Sequence, residues 1–435
     1  MLILLGLIIL LFALFGTPLF VIIGAVTWFL YTNMGDPPAL MFIELYKIAT
    51  FPTLLAIPLF TFAGYMLAES KTPKRIVNLS TAVLGWMPGG LAVVSLFACA
   101  LFTAFTGASG VTILALGGLL FPIMVKDNYS ERFSLGLLTT SGSLGLLFPP
   151  SLPIILYAMI AGPFALVAGS SISITNMFLA GILPGFLLIF LLSLYSIYKN
   201  RGKQVERTGF SIKKIWSAVK AAAWEIPLPF IVLIGIYGGY LTATDAAAVV
   251  AFYVLIIEVF IYKDLSLFKD VPRIMRESMI LVGSILIIMG LALGLTEYLT
   301  AAEIPQKILE AMQTFITSKI MFLLLLNIFL LFVGFLMDIF SAIFVIVPLI
   351  LPIATGFGVN PVHLGIIFLT NLEIGYSTPP VGLNLFIASF RFQKSITALY
   401  KASLPFIGIM LIALLIITYW PTLSLLLVDW FGKPY

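Results

Sequence analysis

The sequence predicts an all-α polytopic membrane protein made of two inverted-topology repeats, each with a re-entrant hairpin and a discontinuous helix. Three observations carry that expectation. Hydrophobic residues make up 61% of the 435 and charged residues 9%, with mean hydropathy +1.17, which leaves too little charge to cover a water-soluble domain of this length. The apolar stretches are continuous runs and not alternating strands, which excludes a membrane β-barrel. Two distant apolar segments are broken by matching clusters of glycine, hydroxyl residues and paired prolines, "SLGLLFPPSLP" at 143–153 and "EIGYSTPPVGLN" at 373–384.

Taken in order, ten crossings are expected, at 2–15, 17–32, 51–68, 133–161, 176–198, 226–241, 245–262, 278–299, 364–390 and 404–420. The first run, "LILLGLIILLFALF", lacks a basic leader and a small-residue cleavage site, so it reads as a membrane segment and not a signal peptide. Two further stretches, 91–125 and 320–353, are too long for one upright span and too short for two. Each is interrupted near its middle, by "TGASG" and "GFLMDIFS", and each reads as a hairpin that enters and leaves on one side. Irregular backbone at membrane depth must be buried in protein or line a cavity. The single cysteine, Cys99, rules out internal disulfides and cysteine-based metal clusters and reads as a packing residue.

Sliding the chain against itself by 230 positions lays 105–160 on 335–390 without a gap. Pro122 falls on Pro352, Ile123 on Ile353, Thr140 on Thr370, Gly145 on Gly375, and Pro149-Pro150 on Pro379-Pro380. Two residues out of that register, "TPKRIVN" parallels "IPQKILE". The chain therefore divides into repeat 1 (1–198), a basic linker (199–223), repeat 2 (224–420) and a C-terminal tail (421–435). Five crossings separate the hairpins, an odd number, so the repeats have opposite orientation. With the linker in the cytoplasm, the basic residues split 19 inside to 4 outside, the four being Lys47, Lys307, Lys319 and Lys433. Both termini are then periplasmic, and the net charge of +5 is a topology signal with no nucleic-acid message.

Proline has no N–H and clashes with the preceding turn, so each Pro-Pro unwinds its helix and frees carbonyls at 145–148 and 375–378. Carbonyls and hydroxyls without full charge suit sodium, a hard monovalent cation. The half-helix that follows each break offers its N-terminus to an anion. Paired breaks in inverted repeats describe a secondary transporter with its site near the midplane. The plainer alternative, a packing kink, accounts for one such motif but poorly for two in register beside two hairpins.

At "TGASGVT", "GLLFPPSLP", "FLMD" and "NLEIGYSTPPVGLNLF" the chain resembles the large membrane (M) subunit, DctM-like, of tripartite ATP-independent periplasmic (TRAP) transporters of the ion-transporter superfamily. The resemblance covers nearly the whole chain. It implies an elevator-type importer of organic acids in a bacterial inner membrane, driven by sodium and binding two or more ions. It also implies two partners: a small four-helix membrane (Q) subunit, here expected as a separate chain, and a soluble periplasmic substrate-binding protein (P subunit). Carried over, the first sodium site comprises Thr103, Thr106, Gly145, Phe148 and Pro149. The second comprises Gly334, Gly375, Thr378 and Val381, with Met337 and Asp338 beside it.

Each remaining polar residue has two readings. Asp338 either holds the hairpin tip and shapes the ion site or simply bonds to nearby backbone. Glu373 precedes the second break and reads equally as structural or functional. Ser109, Ser341 and Asn384 are candidate substrate contacts or local caps, and His363, in "GVNPVHLG", is expected to be a solvated loop residue. The amphipathic stretches "NLSTAVLGWM" and "ILEAMQTFI" are expected at the interfaces, as arms between moving and fixed parts. An intramembrane enzyme would need an H-E-x-x-H or paired-Asp set, which one histidine does not supply. A channel would need a charged ring or filter. An autonomous sodium or proton symporter of the wider class stays open, to be separated by whether genes for a binding protein and a four-helix subunit lie alongside.

Overall fold

The computed structural model describes residues 17–47, 52–87, 89–167, 172–201, 211–316 and 318–432. The crossing expected at 2–15 lies outside them, as do Lys203 and Lys433. Among the described residues every regular element is helical. Seven helices are long and apolar enough to span a bilayer, and one bent pair makes an eighth.

The first half opens with α1 (Leu19–Met34), α2 (Leu40–Lys47) and α3 (Ala56–Glu69). An arm follows, α4 (Thr72–Leu84), with proline in its first turn, where no N–H is missed. Hairpin 1 comprises α5 (Gly90–Thr106) and α6 (Ser109–Lys126), turned at Gly107 in a left-handed conformation (φ 64°). Next comes the broken helix: α7 (Glu131–Ser141), a tight turn at Leu144–Leu147, then α8 (Leu152–Val167), with a bend of 45°. Helix α9 (Ile174–Lys199) spans, and a short α10 (Ile212–Ala221) lies in the linker.

The second half repeats the plan with α11 (Pro227–Tyr237), α12 (Ala243–Ile261) and α13 (Asp270–Ala301). A reciprocal Thr242–Asp245 capping box opens α12. The arm α14 (Ile304–Phe315) again has proline in its first turn. Hairpin 2 is α15 (Lys319–Leu336) with α16 (Ile339–Gly356), and the second broken helix is α17 (Pro361–Gly375) with α18 (Leu383–Phe392). The chain continues through α19 (Ile396–Tyr419) and α20 (Thr422–Phe431). Residues 422–431, read from sequence as part of a tail, are thus a helix, packed on α9 and α17.

Helix α19, with 24 residues and about 36 Å long, measures the inversion. At its N-terminal end Arg132 donates to the Lys401 carbonyl (2.8 Å) and Lys394 pairs with Glu131 (2.5 Å), so hairpin 1 has its base there. Ser95 and Met124 meet at 3.8 Å across that hairpin. At the other end Tyr419 donates to the Ile320 carbonyl (3.3 Å), and Phe322 stacks on Phe357 with centroids 4.4 Å apart. The two hairpins open at opposite ends. The partners also exchange: α8 packs on α16 of hairpin 2, and α18 packs on α6 of hairpin 1. Midway, Ser143 Oγ donates to the Glu373 carbonyl at 3.4 Å. These two residues are register partners, so a pseudo-two-fold axis passes between them.

His363 is not a solvated loop residue. Asn360 caps α17 by accepting from Val362 N and His363 N, and the imidazole is buried between Ser424 Oγ and the Thr418 carbonyl, each at 3.2 Å. Helix α20 covers it, which the tail reading did not anticipate. Cys99 packs in the core as expected.

Candidate functional site

Each break is pressed against the first arm of its own hairpin. A methyl placed on Gly145 would lie 2.2 Å from the Ala100 carbonyl oxygen and 2.4 Å from Ala104 N. One placed on Gly375 would lie 2.5 Å from the carbonyl carbon of Gly334. Ala104 and Gly334 are register partners, so backbone meets backbone at equivalent points of both repeats. This contact gathers Thr103, Gly145, Phe148 and Pro149 on one side of the axis, and Gly334, Gly375 and Thr378 on the other.

In each turn the glycine carbonyl accepts from the residue three further on: Phe148 N to Gly145 O at 3.0 Å, and Thr378 N to Gly375 O at 2.9 Å. A carbonyl oxygen has two lone pairs, so one remains for a cation. Thr103 Oγ1 donates to the Gly142 carbonyl (2.8 Å) and lies 2.6 Å from Thr112 Oγ1, tying both arms of hairpin 1 to the break. Thr106 sits at the end of α5, its hydroxyl 3.5 Å from the Ala108 carbonyl. Thr378 Oγ1 donates to the Ile374 carbonyl (2.8 Å), which leaves its own lone pairs as acceptors. The two breaks are not chemically equal. The register partner of Thr378 is Phe148, whose ring meets Phe186 edge-on at 5.2 Å. With Pro149, Phe97, Ala104 and Leu233 it lines an apolar cavity of about 280 Å³.

The tips differ too. Asp338 caps α16: Oδ1 accepts from Phe340 N (3.0 Å) and Ser341 N (3.1 Å), and Oδ2 takes the Ser341 hydroxyl. Tyr376, from the break, accepts from Ile339 N and so holds this tip from outside. Asp338 and Ser341 therefore spend their polar atoms shaping the tip, with Met337 half-buried beside them. Val381 is exposed. Ser109 and Asn384 are brought together: Ser109 Oγ donates to Asn384 Oδ1 at 2.7 Å, joining the tip of hairpin 1 to the second broken helix. Glu373 is fully buried, and neither carboxylate oxygen has a hydrogen-bond partner among the described residues.

Sequence reasoning passed over Thr112 and Tyr376, although both lie inside the motifs it quoted. It also passed over Arg75, which contacts Glu225, Glu258 and Asp264 where α4 meets the ends of α11 and α12. No local pattern links those four positions.

Two helix breaks, each clasped by a hairpin and related by an inverted axis, are the architecture of a secondary membrane transporter. The chain belongs to the DctM component family of tripartite ATP-independent periplasmic transporters, whose sequence model matches residues 4–423. It is 38% identical over 428 residues to the C4-dicarboxylate TRAP transporter large permease protein DctM of Rhodobacter capsulatus, covering 96% of each chain. It is also 38% identical over 381 residues to the isethionate TRAP transporter permease protein DctMQ of Oleidesulfovibrio alaskensis, covering 87% of this chain and 58% of that one. At 16% identity it matches the Alcanivorax borkumensis YdaH transporter structure with TM-score 0.59 over 90% of this chain and 88% of that one, a likeness of fold alone. The protein is thus a multi-pass TRAP large permease, a component of systems that also contain a substrate-binding protein and a small Q component.

Proposed function

We propose that this permease is a sodium-coupled importer of small organic acid anions that receives substrate from a periplasmic binding protein and carries it by an elevator motion. The observation that bears most weight is the pair of hairpin-clasped, oxygen-rich breaks at Gly145–Pro149 and Gly375–Val381. On this reading Thr103, Thr106, Gly145, Phe148 and Pro149 bind one sodium ion; Gly334, Gly375, Thr378 and Val381 bind another. Phe148 and Val381 contribute only main-chain oxygen. Met337 and Asp338 set the shape of the second site. The anion sits between the ions, near Ser109, Ser341 and Asn384, where the N-termini of α8 and α18 favour negative charge. The relatives named for C4-dicarboxylate and isethionate transport support the substrate class. Repeats 1–198 and 224–420 supply the moving hairpins and broken helices and a fixed frame of α1–α3 and α11–α13, with α4 and α14 as arms. The small Q subunit is a separate chain, and the complex resides in a bacterial inner membrane with both termini of this chain periplasmic.

Reconstituted with its partners, the protein should take up substrate only with an inward sodium gradient, and faster with the inside negative. Equal rates in potassium medium, or with a proton gradient alone, would refute the coupling. Uptake without a binding protein would favour the autonomous symporter. Thr378→Val keeps the shape and removes one oxygen. Losing a contact to a charged group costs about 1.5–3 kcal/mol, so the sodium needed for half-maximal uptake should rise roughly tenfold to hundredfold, with Thr378→Ser much milder. A folded valine variant with normal sodium dependence would remove Thr378 from the ligand set.

The orientation has its own test. Cysteines replacing Lys203 and Lys433 in a Cys99-free background should react with an impermeant thiol reagent from opposite faces. Labelling of both from one face would overturn the assigned topology.

A further inference from the structure

We infer that α10 is a peripheral membrane-binding helix that rests on anionic phospholipid headgroups of the cytoplasmic leaflet and steadies the arm α4. Lys214, Ser217, Ala218 and Ala221 form one face of α10, and with Asn78, Thr81 and Ala82 of α4 they line a shared pocket. That face meets the arm. Ile212, Ile215, Trp216 and Val219 recur with the same i, i+3, i+4, i+7 spacing, displaced by two residues, which places them about 200° away around the helix. The apolar stripe therefore points away from α4, the element that α10 packs against most closely among the described residues. Ile212 and Trp216 on that stripe are 73% and 60% exposed, and Ile215 and Val219 are half-buried.

Charge and position select lipid as the occupant of that face. Lys213 and Lys220 line one edge of the stripe, the latter with Nζ 5.4 Å from the Trp216 ring centroid, and α10 has no acidic residue. The helix leads through 222–226 straight into the apolar helix α11, which holds its C-terminal end beside the membrane segments. An apolar stripe edged by lysines, with a tryptophan on it, is the composition that seats a helix in the headgroup region of an anionic bilayer.

The test uses full-length protein in nanodiscs, with Cys99→Ala and a spin label at position 216 or 217. In bilayers containing phosphatidylglycerol, the label at 216 should be open to oxygen and shielded from a water-soluble nickel chelate, and the label at 217 should not. Equal nickel access at both positions would overturn the proposal, as would equal shielding at 216 in bilayers that contain no anionic lipid. Shielding that appears only with the small subunit present would assign the face to a protein partner and overturn it too. A second measurement adds Lys213→Gln/Lys220→Gln to the label at 216. Each lysine near an anionic surface is worth about fivefold in partitioning, so the ratio of seated to free helix, and with it the retention of nickel shielding, should fall roughly 25-fold. Unchanged shielding would also refute it.

Discussion

Arg75→Met should destabilise the protein by about 3–5 kcal/mol, the cost of stranding buried carboxylates without their cation. The Arg75 guanidinium donates to Asp264 (2.6 Å), to Glu258 (3.1 Å) and to Glu225, and lies 3.8 Å above the Tyr262 ring. Thr72 donates to Glu258 (2.8 Å) and Tyr262 to Glu225 (2.8 Å). Glu258 is completely buried, and the side chains of Glu225 and Asp264 are 5% and 3% exposed. Without Arg75 only Lys71, on Asp264 at 2.9 Å, remains to balance three acids. Arg75→Lys should recover only part of the loss, because one ammonium cannot reproduce a planar fork serving three carboxylates. Adding Glu258→Gln to Arg75→Met should restore stability, since the two positions are coupled. Thermal unfolding in detergent reads all three variants. Melting of Arg75→Met at the parental temperature would show the cluster to be screened by water. The Asp264 contribution has a definite pH direction. Burial opposes its charge, yet Lys71 and Arg75 hold its carboxyl below the ordinary carboxylate range. That stability is therefore present above the unfolded value and lost as pH falls through the lower folded one.

Gly375→Ala should abolish sodium-dependent uptake. The added methyl would stand 2.5 Å from the Gly334 carbonyl carbon and 2.6 Å from its Cα, and backbone cannot rotate away as a side chain can. Overpacking of this kind costs about 1–3 kcal/mol and forces backbone apart. Here it would separate the second break from hairpin 2 and move the Gly375 carbonyl, a proposed ligand. Gly145→Ala should act alike through the Ala100 carbonyl. Gly408→Ala is the control: nothing lies within 4 Å of a methyl there, and exchanging a helical glycine for alanine gains up to about 1 kcal/mol. Uptake by Gly375→Ala at the rate of the Gly408→Ala control would show that the close approach has no functional weight.

Much of this architecture was legible because it is written in local chemistry. Two successive prolines remove two N–H donors at once, so Pro149-Pro150 and Pro379-Pro380 marked both breaks, whereas single prolines such as Pro184 and Pro405 stand inside continuous helices. The ungapped register at an offset of 230 carried the rest, pairing Gly145 with Gly375 before any contact was known, and the structure extends it by one residue to Ala104 and Gly334. His363 was misjudged because its surroundings come from α20, some 60 residues later, and not from its own loop.

From sequence alone came the membrane class, the two inverted repeats, the hairpins and the breaks, since hydropathy, helix-stopping residues and repeat register act over a few turns of chain. The tertiary structure alone decided the partners of the polar groups. Ser109 meets Asn384 across 275 residues, Arg75 meets Glu225 across 150, and Ile212 and Trp216 of α10 stay exposed on the side opposite α4. A buried hydroxyl or charge must find a partner, but the sequence does not specify which one. Packing fixes that choice, when it brings distant helices close enough for one side chain to satisfy another.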